Sequence, residues 1–284
     1  MIDGQRVVVV LPAYEAAATL PAVVAALRAQ AAVDAIVCVD DASTDGTAAV
    51  AAALGLHPVV HPTNRGYGAN QKTCYRAALD GGADIVVMGH PDGQYDPRLA
   101  TVLAGMIASG CYDAVLASRV TGHALAGGMP RYKYVANRVL TALENLLLGL
   151  TLSEYHSGYR AYSADCLRAI PWARLSDDFA FDNQILVQAH WGGFRIGEVS
   201  CPIHYGAESH SIGFRRAVRY GFSVLAAALT YRAACWGWPV RWLGLSAAER
   251  RDVAIVRERI REIEAHAERL IPGDEASPHL MRDG

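Results

Sequence analysis

The sequence has no Cys-x-x-Cys pair, no Gly-x-Gly-x-x-Gly turn after its first apolar run, no long uninterrupted apolar stretch and no excess of positive charge. Each absence excludes something. Six cysteines stand at 38, 74, 111, 166, 201 and 235 without metal-site spacing, so they read as small buried hydrophobes in a reducing compartment. Without the glycine fingerprint there is no dinucleotide-binding turn. A formal net charge of −2 and a pI of about 6.5 leave no basic signature, so nucleic acid is not an expected partner. A bilayer span needs ~18 to 20 apolar residues. The best stretch, Tyr220 to Tyr231, is shorter and is bounded by Arg219 and Arg232. The chain runs into an apolar strand at Arg6 with no leader-like segment before it, which reads as a cytoplasmic protein without a signal peptide.

What is present is 284 residues at 52% hydrophobic, enough for one large α/β domain or one domain plus an appendage. Apolar runs at 6–11, 35–40, 58–61, 85–88 and 114–118 read as strands. Those at 6–11 and 85–88 do not alternate, as expected of strands buried on both faces. Helical segments separate the strands. Thr19 is a candidate cap for the first, with Pro21 in its first turn. The order predicts a doubly wound, mostly parallel sheet whose strands end along one edge. Beyond Ser118 come a glycine-rich stretch at 119–129, amphipathic helices over 130–148 and 179–189, and a basic-aromatic helix over 212–238. A charged helix follows over 246–270, opened by a Ser246/Glu249 capping box.

Polar clusters close the first, second and fourth strands. After the fourth come His90, Asp92 and Gln94, alternating as though projecting to one side. Asp92 and Gln94 offer hard oxygens for Mg2+ or Mn2+, and His90 an imidazole. The plain alternative is a polar turn with a hydrogen-bonding histidine. Asp40 and Asp41 close the second strand and can accept from a base or a ribose. Tyr14 can cover a base, and is otherwise an edge-of-core tyrosine. Gly66 and Gly68 lie at a helix start whose free N–H groups favour an anion, unless they only make a strand-to-helix turn. Arg119, Lys133 and Arg160 are cations for a departing diphosphate. Glu154 and Asp182 are candidate bases or acceptor-orienting carboxylates. Arg215, Arg216, Arg219 and Arg232 interleave with Phe214, Tyr220, Phe222 and Trp236. That mixture fits a membrane interface, a packing helix or an oligomer contact.

In order, Leu11-Pro12-Ala13-Tyr14, Val39 to Thr47, Asn64-Arg65-Gly66-Tyr67-Gly68, His90 to Tyr95, Ala117-Ser118-Arg119 and His156 to Tyr162 resemble family 2 glycosyltransferases of GT-A fold. Within that family the likeness is to the polyprenyl- and dolichyl-phosphate sugar transferases. It runs from residue 6 to about 230 and implies three parts: a GT-A catalytic domain over 1–210, a basic-aromatic helix over 211–245 that suits a membrane interface, and a charged helix with a polar tail over 246–284. It also implies that Pro12, Tyr14, Glu15, Val39, Asp41, Asn64, Gly66, Pro91 and Asp92 line the nucleotide-sugar. Asp92, Gln94 and His90 surround the metal. Arg119, Lys133 and Ser209 meet donor and acceptor phosphates, and Asp92, Glu154, Asp182 and Arg160 carry the chemistry. Two positions depart from the family pattern: Glu15-Ala16 replaces Asn-Glu, and His90 replaces the first acid of Asp-x-Asp.

The implied activity is metal-dependent, inverting transfer from a GDP- or UDP-linked sugar to a polyprenyl phosphate, peripherally at the inner face of a membrane, with the C-terminal helices available for homo-oligomer contacts. A saccharide or hydroxyl acceptor, a nucleotidyltransferase and a non-catalytic sugar-nucleotide-binding protein are the alternatives.

Overall fold

A computed structural model of the chain describes residues 1–203, 214–238 and 240, without the side chains of 214–216. Ser209, Arg215, Arg216 and the expected 246–270 helix lie outside the described side chains. The described residues belong to one compact unit, Met1–Gly244.

The first half alternates strand and helix: β1 (Val7–Ala13), α1 (Leu20–Arg28), β2 (Ala35–Asp40), α2 (Thr47–Ala53), β3 (Val59–Val60), α3 (Tyr67–Asp80), β4 (Ile85–Met88), α4 (Leu99–Ala108) and β5 (Ala114–Ser118). Then follow α5 (Arg131–Leu148), β6 (Arg160–Ser163), α6 (Ala164–Ala169), α7 (Ala180–Trp191), β7 (Ile196–Ser200) and α8 (Phe214–Cys235). The seven strands form one sheet in the order β3-β2-β1-β4-β6-β5-β7. All pairs are parallel except those of β6, which runs antiparallel between β4 and β5.

β1 is buried throughout because both its faces are covered. Val7, Val9 and Leu11 join Leu20, Val23 and Leu103 in one core; Val8 and Val10 join Tyr75, Phe181 and Ile185 in the other. Residues one apart on a strand face opposite sides, so an unbroken valine run feeds two cores at once. Thr19 does not cap α1 with its side chain. Its Oγ1 instead donates to the Ala16 carbonyl at 3.4 Å, while Ala16 N–H donates to Thr47 Oγ1 at 2.9 Å.

Two features of the sheet place the site. Strand order reverses between β1 and β4, the position at which open α/β sheets leave a crevice at their carboxyl ends. Because β6 is antiparallel, its first residue, Arg160, pairs with Met88, the last of β4. The segment 154–159 therefore reaches the same edge as the ends of β1, β2, β4 and β5.

Candidate active site

The turn after β4 does not continue as extended chain. Gly93 takes φ +69° and Gln94 N–H donates to Asp92 Oδ1 at 3.1 Å. The alternation expected of His90, Asp92 and Gln94 is replaced by a tight turn, and Asp92 and Gln94 remain neighbours through its hydrogen bond. Both are half-buried, and Pro91 beneath them is buried.

His90 takes a different direction. Its Nε2 lies 2.9 Å from the Tyr67 hydroxyl, and its ring packs against Tyr95 with centroids 4.9 Å apart and the planes tilted by 49°. Tyr67 also hydrogen-bonds Asp182, whose Oδ1 accepts from Gln71 Nε2 at 2.7 Å. A phenol carries one hydrogen. Given to Asp182, it leaves His90 Nε2 to donate to the phenol oxygen and Nδ1 as a bare acceptor. Nδ1 is buried without a hydrogen-bond partner. Burial lowers the imidazole pKa against the pull of Asp92 and Asp182, so the ring is neutral. The arrangement explains Gly158: a Cβ there would lie 2.6 Å from His90 Nε2 and 2.7 Å from the Tyr67 oxygen.

The expected anion cradle at the start of α3 is already filled by the protein. Arg65 N–H and Gly66 N–H donate to the two oxygens of Asp41, each at 2.9 Å, and His61 Nδ1 sits 2.6 Å from Asp41 Oδ1. Gly68 and Ala69 N–H donate to the Asp177 carbonyl at 2.8 and 3.2 Å. Asp41 is thus the anion at this helix N-terminus, and Gly66 and Gly68 serve close packing on the 176–177 backbone. A Cβ at Gly66 would come within 2.7 Å of Asp177 O, and one at Gly68 within 2.5 Å of Ser176 O. Asn64 Oδ1 accepts from Gly66 N–H at 3.1 Å in the same turn.

Other expected nucleotide contacts are redirected in the same way. Glu15, at φ +50°, accepts from Thr44 N–H and Oγ1 at 2.8 and 3.0 Å, which stitches the turn after β1 to the loop after β2. The Val39 side chain lies in the core, and its carbonyl accepts from Asn70 Nδ2 at 3.2 Å. Pro12 is buried within β1. Tyr14, just past it, stands 49% exposed with its ring free to lie on a planar base.

On the other side of the crevice Glu154 is completely buried and organises three residues, Arg119 (whose Nη2 also donates to it), Val120 and Asn137. It accepts from Arg119 N–H at 2.7 Å, Arg119 Nε at 2.8 Å, Val120 N–H at 3.4 Å and Asn137 Nδ2 at 2.7 Å. Burial works against its charge, but the Arg119 guanidinium and these donors hold its carboxyl below the usual range. Arg119 also reaches the His156 carbonyl at 3.0 Å. Glu154 therefore aims an arginine. Arg160 corrects the expectation of a phosphate-facing cation. It is 1% exposed, and its guanidinium is spent on the carbonyls of Ser157 (2.7 Å), Tyr155 (2.7 Å) and Asp182. It clips the 155–160 segment to α7. Lys133 is half-buried in the first turn of α5.

Residues 8–170 match the sequence profile described as Glycosyl transferase family 2. The chain belongs to that family. The family's enzymes are glycosyltransferases, and this chain is one. Its sheet is the mixed, mostly parallel GT-A arrangement. The glucosyl-3-phosphoglycerate synthase of Mycobacterium tuberculosis, solved with Mn2+ and UDP-glucose, superposes with a TM-score of 0.64 at 22% identity over 81% of this chain and 80% of that one. The same protein has also been solved with Mg2+ and UDP. The low-salt glycan biosynthesis hexosyltransferase Agl6 of Haloferax volcanii is 31% identical over 169 residues, 59% of this chain and 40% of that protein, so the chain spans well under half of that relative. The undecaprenyl-phosphate mannosyltransferase of Micrococcus luteus is 27% identical over 252 residues, 85% of this chain and 98% of that one.

For a family 2 glycosyltransferase the residues that sequence reasoning missed are Tyr67, Asn137 and Gly158. Tyr67 and Gly158 lie inside motifs that drew notice for other residues. Their roles depend on His90, 23 positions from the tyrosine, and no local pattern announces that contact. Asn137 sits on α5 at a polar position within an apolar helix, a signal visible in hindsight.

Proposed function

We propose that this glycosyltransferase moves a sugar from a nucleoside-diphosphate donor to a polyprenyl phosphate with inversion, using Mg2+ or Mn2+. The observation that carries the reading is the Asp92–Gln94 turn after β4, at the sheet edge where the loop after β5 carries the Glu154-held Arg119. Two hard oxygen donors beside a diphosphate suit a divalent cation that completes its shell with phosphate oxygens and water. The fit is to Asp92 and Gln94. His90 Nε2 is engaged by Tyr67, so any part the ring takes there would fall to its buried Nδ1. Among the described residues no group of three or more His, Cys, Asp and Glu is placed to hold a metal alone. A metal held there would neutralise charge on the donor diphosphate.

The remaining chemistry belongs to the chain. Tyr14 offers its ring to the base. Arg119, fixed by Glu154, presents positive potential to the diphosphate as the bond from the anomeric carbon to its oxygen breaks and the electron pair leaves with that oxygen. An acceptor phosphate oxygen forms the new bond from the opposite face, with Lys133 to hold it. A phosphate monoester is already anionic, so no strong base is required. Asp182 fits that economy: it is 8% exposed and engaged by Gln71 and Tyr67, which suits positioning over proton abstraction. The undecaprenyl-phosphate relative supports the acceptor class, and the UDP-glucose complex supports the donor class.

A thermal-shift panel of nucleotides and sugar nucleotides, with and without Mn2+, tests the donor half. Stabilisation rises with occupancy. A nucleoside diphosphate should raise the melting temperature more with Mn2+ than without, and Asp92→Asn should remove that difference. An equal shift in the two proteins would refute the assignment of Asp92.

A further inference from the structure

Helix α5 turns polar side chains inward and large apolar ones outward. Asn137, Thr141 and Glu144 are buried, whereas Tyr132, Val135, Val139, Leu143 and Leu146 are exposed, Leu146 to 74%. The exposed five recur at intervals of three or four and form one stripe along the helix. Helix α8 repeats the pattern more mildly. It buries Val224, Ala227, Ala228 and Tyr231 and exposes Val218, Phe222 (71%) and Leu229, with Trp236 and Trp238 exposed just past its end. The helices are neighbours: Arg232 donates to the Leu146 carbonyl at 3.0 Å, and a Cβ at Gly221 would lie 3.7 Å from Leu140. Neighbouring helices with outward apolar stripes are unusual for a free surface and mark a contact face.

Charge decides what the face contacts. Among the described residues α8 carries no acid, and the only acid of α5, Glu144, is buried. The charged groups around the stripes are cations: Arg131, Lys133, Arg138, Arg219 and Arg232. A second copy in a two-fold contact would set these cations against their own counterparts with no carboxylate to meet them. An anionic lipid surface meets both features. Its headgroups take the cations, its acyl boundary takes the apolar stripe, and indole rings sit at the junction. No helix among the described residues is long and apolar enough to cross a membrane, so the contact is with the surface.

We propose that the α5–α8 face docks this chain on anionic bilayers. The inference rests on the proposed function only for its purpose: Lys133 in the first turn of α5 brings the transfer site to the plane in which a polyprenyl phosphate lies. Docking itself can be measured apart from transfer. The full chain is mixed, without donor, with phosphatidylcholine vesicles that contain or lack phosphatidylglycerol, and then sedimented. Wild type should bind the phosphatidylglycerol vesicles and release them as salt rises. The Leu146→Ser, Phe222→Ser double variant should bind about tenfold more weakly, since it removes two exposed apolar anchors that would enter the acyl boundary. Arg131→Gln with Arg219→Gln should lose the preference for phosphatidylglycerol. These side chains are exposed, so melting temperatures should hold; if the double variant fails to fold, Val139→Ser replaces it. No vesicle binding by wild type, or equal binding by the variants, overturns the proposal. So does a wild-type dimer that the same serines dissociate while vesicles are ignored. Nucleotide-sugar thermal shifts in the same proteins keep the two readings apart. Wild type that ignores vesicles yet binds donor counts against the face alone, and wild type that binds vesicles yet ignores donor counts against the transfer site alone.

Discussion

Asp92 and Glu144 are both carboxyls near the sheet edge, yet their surroundings give them opposite chemistry. Asp92 is half-buried on a turn and engages only a local N–H among the described bonds. Asp92→Asn should therefore lower transfer about a hundredfold or more, with an unchanged melting temperature, because it removes the carboxylate of the proposed cation site and disturbs no core. A steady-state rate near wild type would contradict that role. Glu144 is completely buried, its Oε2 3.2 Å from His156 Nε2, with Asn183 donating to its other oxygen. Burial pushes this carboxyl up to about 8 and the His156 imidazole down to about 4, so both are neutral near pH 7. The sign follows from which state holds the proton. The folded carboxyl keeps its proton above the ordinary 4.5, so its contribution to stability is intact below that value and is lost as pH climbs towards about 8. Glu144→Gln, which cannot ionise, should gain stability over wild type across that window, read as a difference in melting temperature that widens with pH. A difference that stays constant with pH would rule out the buried neutral acid. His156 runs the other way: its low folded value costs stability as pH falls from about 6.5 to about 4.

At the scale of elements, the strands and most helices were legible because their apolar periodicity is strong; residues 114–118 were placed to the residue. The antiparallel insertion of β6 was not. Its four residues lie beside a Ser-Gly-Tyr turn, and a pairing partner more than 70 positions away leaves no trace in local pattern. The bonds of Asp41 were hidden for a related reason: a carboxylate at a strand end suits a ligand or a helix N-terminus equally, and only the fold shows Arg65 and Gly66 N–H donating to it. Glu154 and Asp92 stand out in the sequence because their motifs, and not the local geometry, single them out; the hydrogen bonds of Glu154 to Arg119 and Asn137 come only from the fold. The tight seating of α3 on the loop before α7 makes a direct prediction. Gly68→Ala should cost about 2 kcal/mol, because its Cβ would meet the backbone at Ser176 and Asp177 rather than a side chain that can swing away. Gly105→Ala in α4, with nothing within 4 Å of the new carbon, should stabilise by about 0.5–1 kcal/mol. Denaturant melts of the two variants provide the check, and equal effects would show that α3 is not held as described.

Across the whole molecule, one sheet edge gathers pieces from the length of the chain: the end of β1, the turn after β4, the loop after β5 and the approach to β6. The buried Glu154–Arg119 pair ties the last two together and reaches α5 through Asn137. Glu154→Gln should thus cost about 3 kcal/mol of stability, the scale for breaking a buried ion pair, and lower transfer as well. A loss of activity without a loss of stability would instead put Glu154 in direct contact with substrate. Such convergence suits the proposed transfer, in which donor, cation and acceptor would meet at one rim. The measurement that tests this most directly is transfer itself: the full chain with radiolabelled UDP- and GDP-sugars and a polyprenyl phosphate, with Mn2+ or with excess EDTA, followed by counting label in the organic extract. The account predicts label in the lipid with Mn2+ for at least one donor, none with EDTA, and none for Asp92→Asn. Undiminished transfer in EDTA, or label that reaches only a water-soluble saccharide, would contradict it.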